Sequence, residues 1–200
     1  FLGTLPSEMC NIIFNDGEAF GNLRWEMDDV RNEGEWFYTL LGLKRQDQTG
    51  GVLYLACNQN PAVKYQRIEL ATRKTHQIVN ANRYVKIEHL TVEKNGIHGF
   101  AASHAEHIEI RHCTFRCLGG GVFDLPTRVR LGNAIEFWDG AVDCIVEHCV
   151  FEDIYDSGVT HQGALPTSWI PKRLYFRNNI FIRCGMAAYE WRGPSSKDIY

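Results

Sequence analysis

Four segments of this chain can be laid over one another, and this internal repeat restricts the possible folds more than any other feature. They read VKIEHLTV (85–92), HIEIRHCTF (107–115), CIVEHCVF (144–151) and RLYFRNNIF (173–181). In register, Val85, Ile108, Cys144 and Leu174 form one column, and Ile87, Ile110, Val146 and Phe176 a second. Leu90, Cys113, Cys149 and Asn179 form a third, and Val92, Phe115, Phe151 and Phe181 a fourth. Apolar residues alternate over these short runs, which is the period of a strand and not of a helix. Successive segments are offset by 23, 36 and 30 residues, counted from Ile87 through Ile110 and Val146 to Phe176. The excess length falls in GGGVFDLPTRVRL (119–131) and ALPTSWIP (164–171), whose Gly and Pro mark loops inserted at corners. A further repeat begins at Ile199.

A repeat of this length cannot bury its apolar face alone, whereas stacking copies about 4.8 Å apart builds a continuous core. The expected fold is all-β: a right-handed parallel β-helix, a solenoid truncated at its C-terminal end. Residues 51–200 would be the coils, and residues 1–50 an irregular cap or lead-in continuous with them. The outward column Glu88, Arg111, Glu147 and Arg177 alternates in sign, so neighbouring coils pair unlike charges. A second strand set follows in each repeat: GIHGF (96–100), AIEFW (134–138), GVTHQ (158–162) and AYEWR (188–192). Its expected inward column is Ile97, Ile135, Val159 and Tyr189. Earlier in the chain, DDVRNEGEWFY (28–38) suggests a short helix, and VLYLACNQNPA (52–62) a strand with a turn at Asn60-Pro61. RIELA (67–71) and HQIVNA (76–81) read as early coils.

Composition narrows the partners. A net charge of −3 provides no basic footprint for nucleic acid, and no apolar run approaches the length of a membrane span. The chain opens at Phe1 without a signal-peptide pattern, so it reads as part of a longer sequence. Its seven cysteines include no CxxC pair, which argues against a zinc ribbon or a thioredoxin-like site. Cys113 and Cys149 read as small buried packing groups; a disulfide between adjacent coils is geometrically possible but not expected. His89, His112 and His148 read as a side-chain ladder at a corner, continued by Asn178.

NGIHGF, GNAIEFWDG and EDIYDSGVTHQG resemble the right-handed β-helix repeat family of the pectate-lyase-like superfamily. NIIFNDGEAFGNLRW, GEWFY and VLYLACNQNPA resemble the lead-in of its large bacterial carbohydrate-active members, and the likeness spans about residues 10–192. The resemblance implies a secreted or surface-attached protein whose partner is a polysaccharide or oligosaccharide. It is specific for fold and silent on reaction, since the superfamily hosts hydrolases, lyases, esterases, epimerases and tailspikes. Neither a paired-Asp polygalacturonase motif nor a pectate-lyase Arg motif is present.

Alternation places His98, Glu136, Thr160 and Glu190 in one expected outward column, and Phe100, Trp138, Gln162 and Arg192 in the next. Rings stack on sugar faces, while carboxylates and amides bond hydroxyls. Glu136 and Glu190, two coils apart, are expected to act as a carboxylate pair, at either the inverting or the retaining spacing. Asp156, beside Gly158, is a third candidate carboxylate, alone or with Asp153 at a cation; the competing reading is turn chemistry. His98 is a candidate base for a lyase. Trp138, Gln162, Arg192 and Phe100 are expected to bind substrate. His161, in the inward-leaning column, reads as a hydrogen-bonded core residue that still borders the binding face. No metal or cofactor is required, Ca2+ being the one ion considered. The leading function is glycoside hydrolysis, with a polysaccharide lyase or a non-catalytic glycan-binding or adhesion solenoid as alternatives.

Overall fold

A computed structural model describes residues 4–5, 8–40, 51–72, 78–79, 82–163, 171–192 and 197–199. The described chain is all-β apart from one short helix and two 3-10 turns. It divides into two compact units. The first comprises 1–73 and 120–131, the second 74–119 and 132–200.

In the first unit most pairing is antiparallel. Met9–Phe14 pairs with Ala19–Phe20 and with Ile68–Thr72. Glu35–Tyr38 lies between Gly51–Leu55 and Asn22–Leu23. The core contains Met9, Ile12, Phe14, Leu23, Trp36, Tyr38, Leu53 and Val122. Val122 arrives from a hairpin, Gly121–Asp124 with Val129–Leu131, so the Gly-rich insertion is structured and not a plain corner loop. Arg130 ties this hairpin down, donating from Nη2 to the Cys10 carbonyl at 3.0 Å. Three sequence expectations change here. Residues 67–71 are not an early coil, because Ile68–Thr72 pairs antiparallel with Met9–Phe14. The helix expected within 28–38 is reduced to a 3-10 turn, Met27–Asp29, ahead of strand Glu35–Tyr38. The Asn60-Pro61 turn opens a helix, Pro61–Lys64, because Asn60 Oδ1 accepts from the Ala62 N–H at 3.0 Å and Pro suits a first helical position.

The second unit holds parallel sheets whose strands come from successive repeats. Thr91–Glu93, Thr114–Leu118, Val150–Ile154 and Ile180–Cys184 pair in parallel. Phe100–Arg111 pairs with Ile78–Val79 and Arg83–Glu88 on one side and with Ile135–Glu147 on the other. Ile135–Glu147 in turn pairs with Val159–Gln162 and Lys172–Arg177, again in parallel. The repeat columns hold residue by residue. Ile87, Ile110, Val146 and Phe176 are successive partners, as are Val92, Phe115, Phe151 and Phe181. Phe115, Phe151 and Phe181 stack face to face at 5.3 and 4.8 Å.

The chain takes left-handed backbone at three recurring positions, two of them mostly within strands and the middle one between strands. These are Tyr84, His107, Asp143 and Arg173, then His89, His112, His148 and Asn178, then Lys94, Cys117, Asp153 and Arg183. Non-glycine residues adopt this region at a cost, so each corner needs compensation. His89, His112 and His148 stack at 5.1 Å with nearly coplanar rings. Arg183 forms a fork on Asp153, at 2.5 and 2.9 Å. Asn179 accepts from the Cys149 N–H at 2.9 Å and donates to the Val146 carbonyl at 2.9 Å, joining two rungs. Glu147, almost fully buried, is held between Arg111 and Arg177, the latter at 2.6 Å.

One register differs from expectation. Phe100, and not Ile97, is the partner of Ile135, so segment 96–100 is offset by three residues. FAASHA (100–105) carries small residues whose alternation is too weak to fix the pairing. Of the two loops expected at corners, 164–171 lies, apart from Pro171, outside the described residues.

Candidate active site

The site lies in the second unit, on the outer face of Ile135–Glu147 and its neighbours. Glu136 is the register partner of Thr160, and Thr160 of Glu190. On the other side of Glu136 stands Ala101, so His98 does not belong to this column. His98 reaches Glu136 from the turn ahead of the strand: its Nε2 lies 2.7 Å from Glu136 Oε2. Its Nδ1 accepts the Asn133 backbone N–H at 3.0 Å. An acceptor nitrogen carries no proton, so this geometry assigns the proton to Nε2, which donates to Glu136.

Asn133 is the hub of the network. Its Nδ2 donates to Glu136 Oε2 at 3.1 Å, and its Oδ1 accepts the Ser157 N–H at 3.0 Å. Gln162 Nε2 donates to Glu136 Oε1 at 2.9 Å. Ser157 Oγ donates to Glu190 Oε2 at 2.8 Å, and Arg192 Nε bonds the other Glu190 oxygen. Sequence reasoning passed over Asn133 and Ser157 because Asn and Ser beside Gly read as turn residues (GN at 132–133, DSG at 156–158).

Glu136 and Thr160 are buried, not exposed as alternation implied, at 5% and 0%, and His98 beside them is 6% exposed; Glu190 is half-buried. Burial alone would push the Glu136 carboxyl up. Hydrogen bonds from His98, Gln162 and Asn133 outweigh it and hold the group below the usual carboxylate range. Asp156 goes the other way. Burial, and next the charge of Glu190, raise it above the ordinary aspartate value, with Arg192 opposing. Two buried oxygens here have no hydrogen-bond partner, Asp156 Oδ1 and Thr160 Oγ1. Buried polar atoms are rarely left so, and such exceptions mark places where a ligand or water completes the set.

Of the residues expected to bind substrate, Trp138 is 41% exposed and is the register partner of Gln162. Arg192 is exposed and reaches Met186 Sδ at 3.4 Å as well as Glu190. One placement is corrected, and His161 keeps its inward one. Phe100 is fully buried against Phe137, at 6.0 Å, because the three-residue offset turns it into the core. His161 is also interior, stacked on Tyr189 at 5.6 Å and Trp191 at 6.0 Å, with Nδ1 bonded to the Tyr189 hydroxyl. Burial pushes it down to about 4, so it is a neutral core imidazole. Asp153 does not join Asp156 at a cation: it forms the corner pair with Arg183. Among the described residues no group of three or more His, Cys, Asp or Glu side chains is placed to hold a metal ion.

The arrangement therefore couples a carboxyl that retains its proton to higher pH with a carboxylate kept ionised, beside a third carboxylate held by Ser157 and Arg192. Comparison with family models, with curated proteins and with solved structures found no match in any of the three. No helix among the described residues is long and apolar enough to cross a membrane.

Proposed function

We propose that the second unit is a run of a right-handed parallel β-helix of the pectate-lyase-like kind, and that it hydrolyses glycosidic bonds in a polysaccharide or oligosaccharide. The observation that carries the reading is the opposite displacement of Asp156 and Glu136. A carboxyl raised so that it keeps its proton is suited to be the general acid, while a buried carboxylate held ionised beside it supplies negative charge to the site. In this mechanism Asp156 protonates the leaving glycosidic oxygen. Glu190, oriented by Ser157 and Arg192, acts on the opposite side, as base toward water or as nucleophile. Glu136, buried and anionic, stabilises the positive charge that develops on the sugar ring. Trp138 offers a platform at the rim, with Gln162 and Arg192 for hydroxyls. Thr160 Oγ1 and Asp156 Oδ1 are completed by substrate or by water.

A lyase needs a free base. His98 does not offer one, because both ring nitrogens are engaged, one by the Asn133 N–H and the other by Glu136. A polysaccharide substrate also implies work outside the cell, as a secreted or surface-attached protein.

The test is product release from a panel of plant and microbial polysaccharides, with Asp156→Asn and Glu190→Gln alongside. Reducing ends without the ultraviolet absorbance of unsaturated sugars, lost by about 100-fold or more in both variants, is the expected result. Unsaturated ends would make the protein a lyase, and binding without any product would make it a glycan-binding solenoid.

A further inference from the structure

Cys113 and Cys149 occupy equivalent places on neighbouring rungs of the second unit. Thr114 and Val150, the residues that follow them, are register partners, and the Val150 N–H donates to the Cys113 carbonyl at 2.9 Å. Both cysteines are 1% exposed, and both are free thiols. Each sulfur lies against carbonyls of its own rung and the one before: Cys113 Sγ is 3.2 Å from Arg111 O and 3.7 Å from Ile87 O. Cys149 Sγ is 3.3 Å from Glu147 O and 3.7 Å from Ile110 O. The two thiols also influence each other: the neighbouring Cys149 thiol pushes Cys113 down, while Cys113 and burial push Cys149 up. The buried thiols Cys117 and Cys144 and the half-buried Cys184 are all raised by burial.

We propose that Cys113 and Cys149 are a disulfide site linking two neighbouring rungs, closed by exchange with a small-molecule disulfide such as glutathione disulfide while the rungs assemble. In-register parallel neighbours stand about 4.8 Å apart, within the roughly 4.4–6.8 Å separation of Cα atoms that a disulfide spans. In the first step the Cys113 thiolate attacks one sulfur of the external disulfide. The protein–sulfur bond forms as the external S–S bond breaks, and one thiolate leaves. Cys149 then gives its proton to that thiolate and attacks Cys113 Sγ, expelling the second. Two protein thiols are oxidised, and one disulfide is reduced to two thiols. With both sulfurs 1% exposed, closure belongs to folding, and the finished bond is shielded from reductant. This inference does not depend on the hydrolase reading.

The test uses the full chain twice, purified from an oxidising compartment and refolded in a glutathione redox buffer, with refolding in dithiothreitol as reference. After unfolding, free thiols are blocked with iodoacetamide and counted by intact mass. Seven cysteines are present, so blocking of five, with a peptide joining Cys113 to Cys149, is the expected result. The melting midpoint should fall by several degrees once the protein has been unfolded and reduced. Cys113→Ser and Cys149→Ser should each leave all six remaining thiols blockable and abolish the effect of dithiothreitol. Blocking of all seven in the wild type, or a cross-link that excludes either residue, overturns the proposal.

Discussion

At Asp156 stability and the proposed chemistry make opposite demands. Its folded-state value is raised above the ordinary 3.8, so the folded protein holds this proton more tightly than the unfolded chain does. The resulting stabilisation is complete below about 3.8 and is lost as pH rises through the folded-state value. Asp156→Asn should therefore melt higher than wild type near neutral pH, with the gap closing below about pH 3.8, while losing hydrolysis by at least about 100-fold. Melting curves across pH check this, and a variant that melts lower at neutral pH would remove the acid role. His161 has the opposite sign. Its value falls from 6.5 to about 4, so the unfolded chain takes up a proton that the folded core refuses. Stability is full above 6.5 and is lost as pH falls toward 4, by on the order of 3 kcal/mol. His161→Gln, which does not titrate, should flatten the stability profile over that interval in urea titrations.

At the scale of elements, the parallel strands depend on close contacts that tolerate little change. A Cβ at Gly158 would stand 2.5 Å from the Phe181 ring and 2.9 Å from the Ala188 carbonyl. Gly158→Ala should cost about 1–3 kcal/mol, read as a lower denaturation midpoint. Asn179→Ala should cost a similar about 1–3 kcal/mol, since it strips the bond from the Cys149 N–H and leaves the Val146 carbonyl with one partner fewer. The strand pattern was legible wherever large apolar residues alternate with polar ones, as in HIEIRHCTF and CIVEHCVF. It was not legible in FAASHA, where Ala and Ser pack equally well in several registers, and the error moved Phe100 from the core to the surface and His98 into the wrong column.

At the scale of the whole molecule, the chain leaves the second unit at Gly119 and re-enters at Gly132. These two glycines adjoin, a Cβ on Gly119 falling 2.6 Å from Gly132 Cα. The intervening hairpin belongs to the first unit, where Val122 is fully buried. Deleting 120–131 and joining Gly119 to Gly132 should leave residues 132–163 resistant to protease while exposing cleavage sites within 8–72. Equal protection of both segments would contradict the division.

Periodicity determined the strands of the four aligned segments, their pairing and the columns of His, Cys and Asn beside them, because burying one apolar face per strand admits a single register wherever side chains are large. It also brought Glu136 and Glu190 together as candidates, while Asp156 entered through its place beside Gly158. Only the tertiary structure decided which carboxyl is depressed and which is raised, since burial and neighbouring donors from separate rungs set those values. The same holds for the tautomer of His98, which depends on one backbone N–H of Asn133, 35 residues away. It holds too for the allocation of 120–131 to the first unit, because a hairpin's own pattern does not specify which core receives its inward residue.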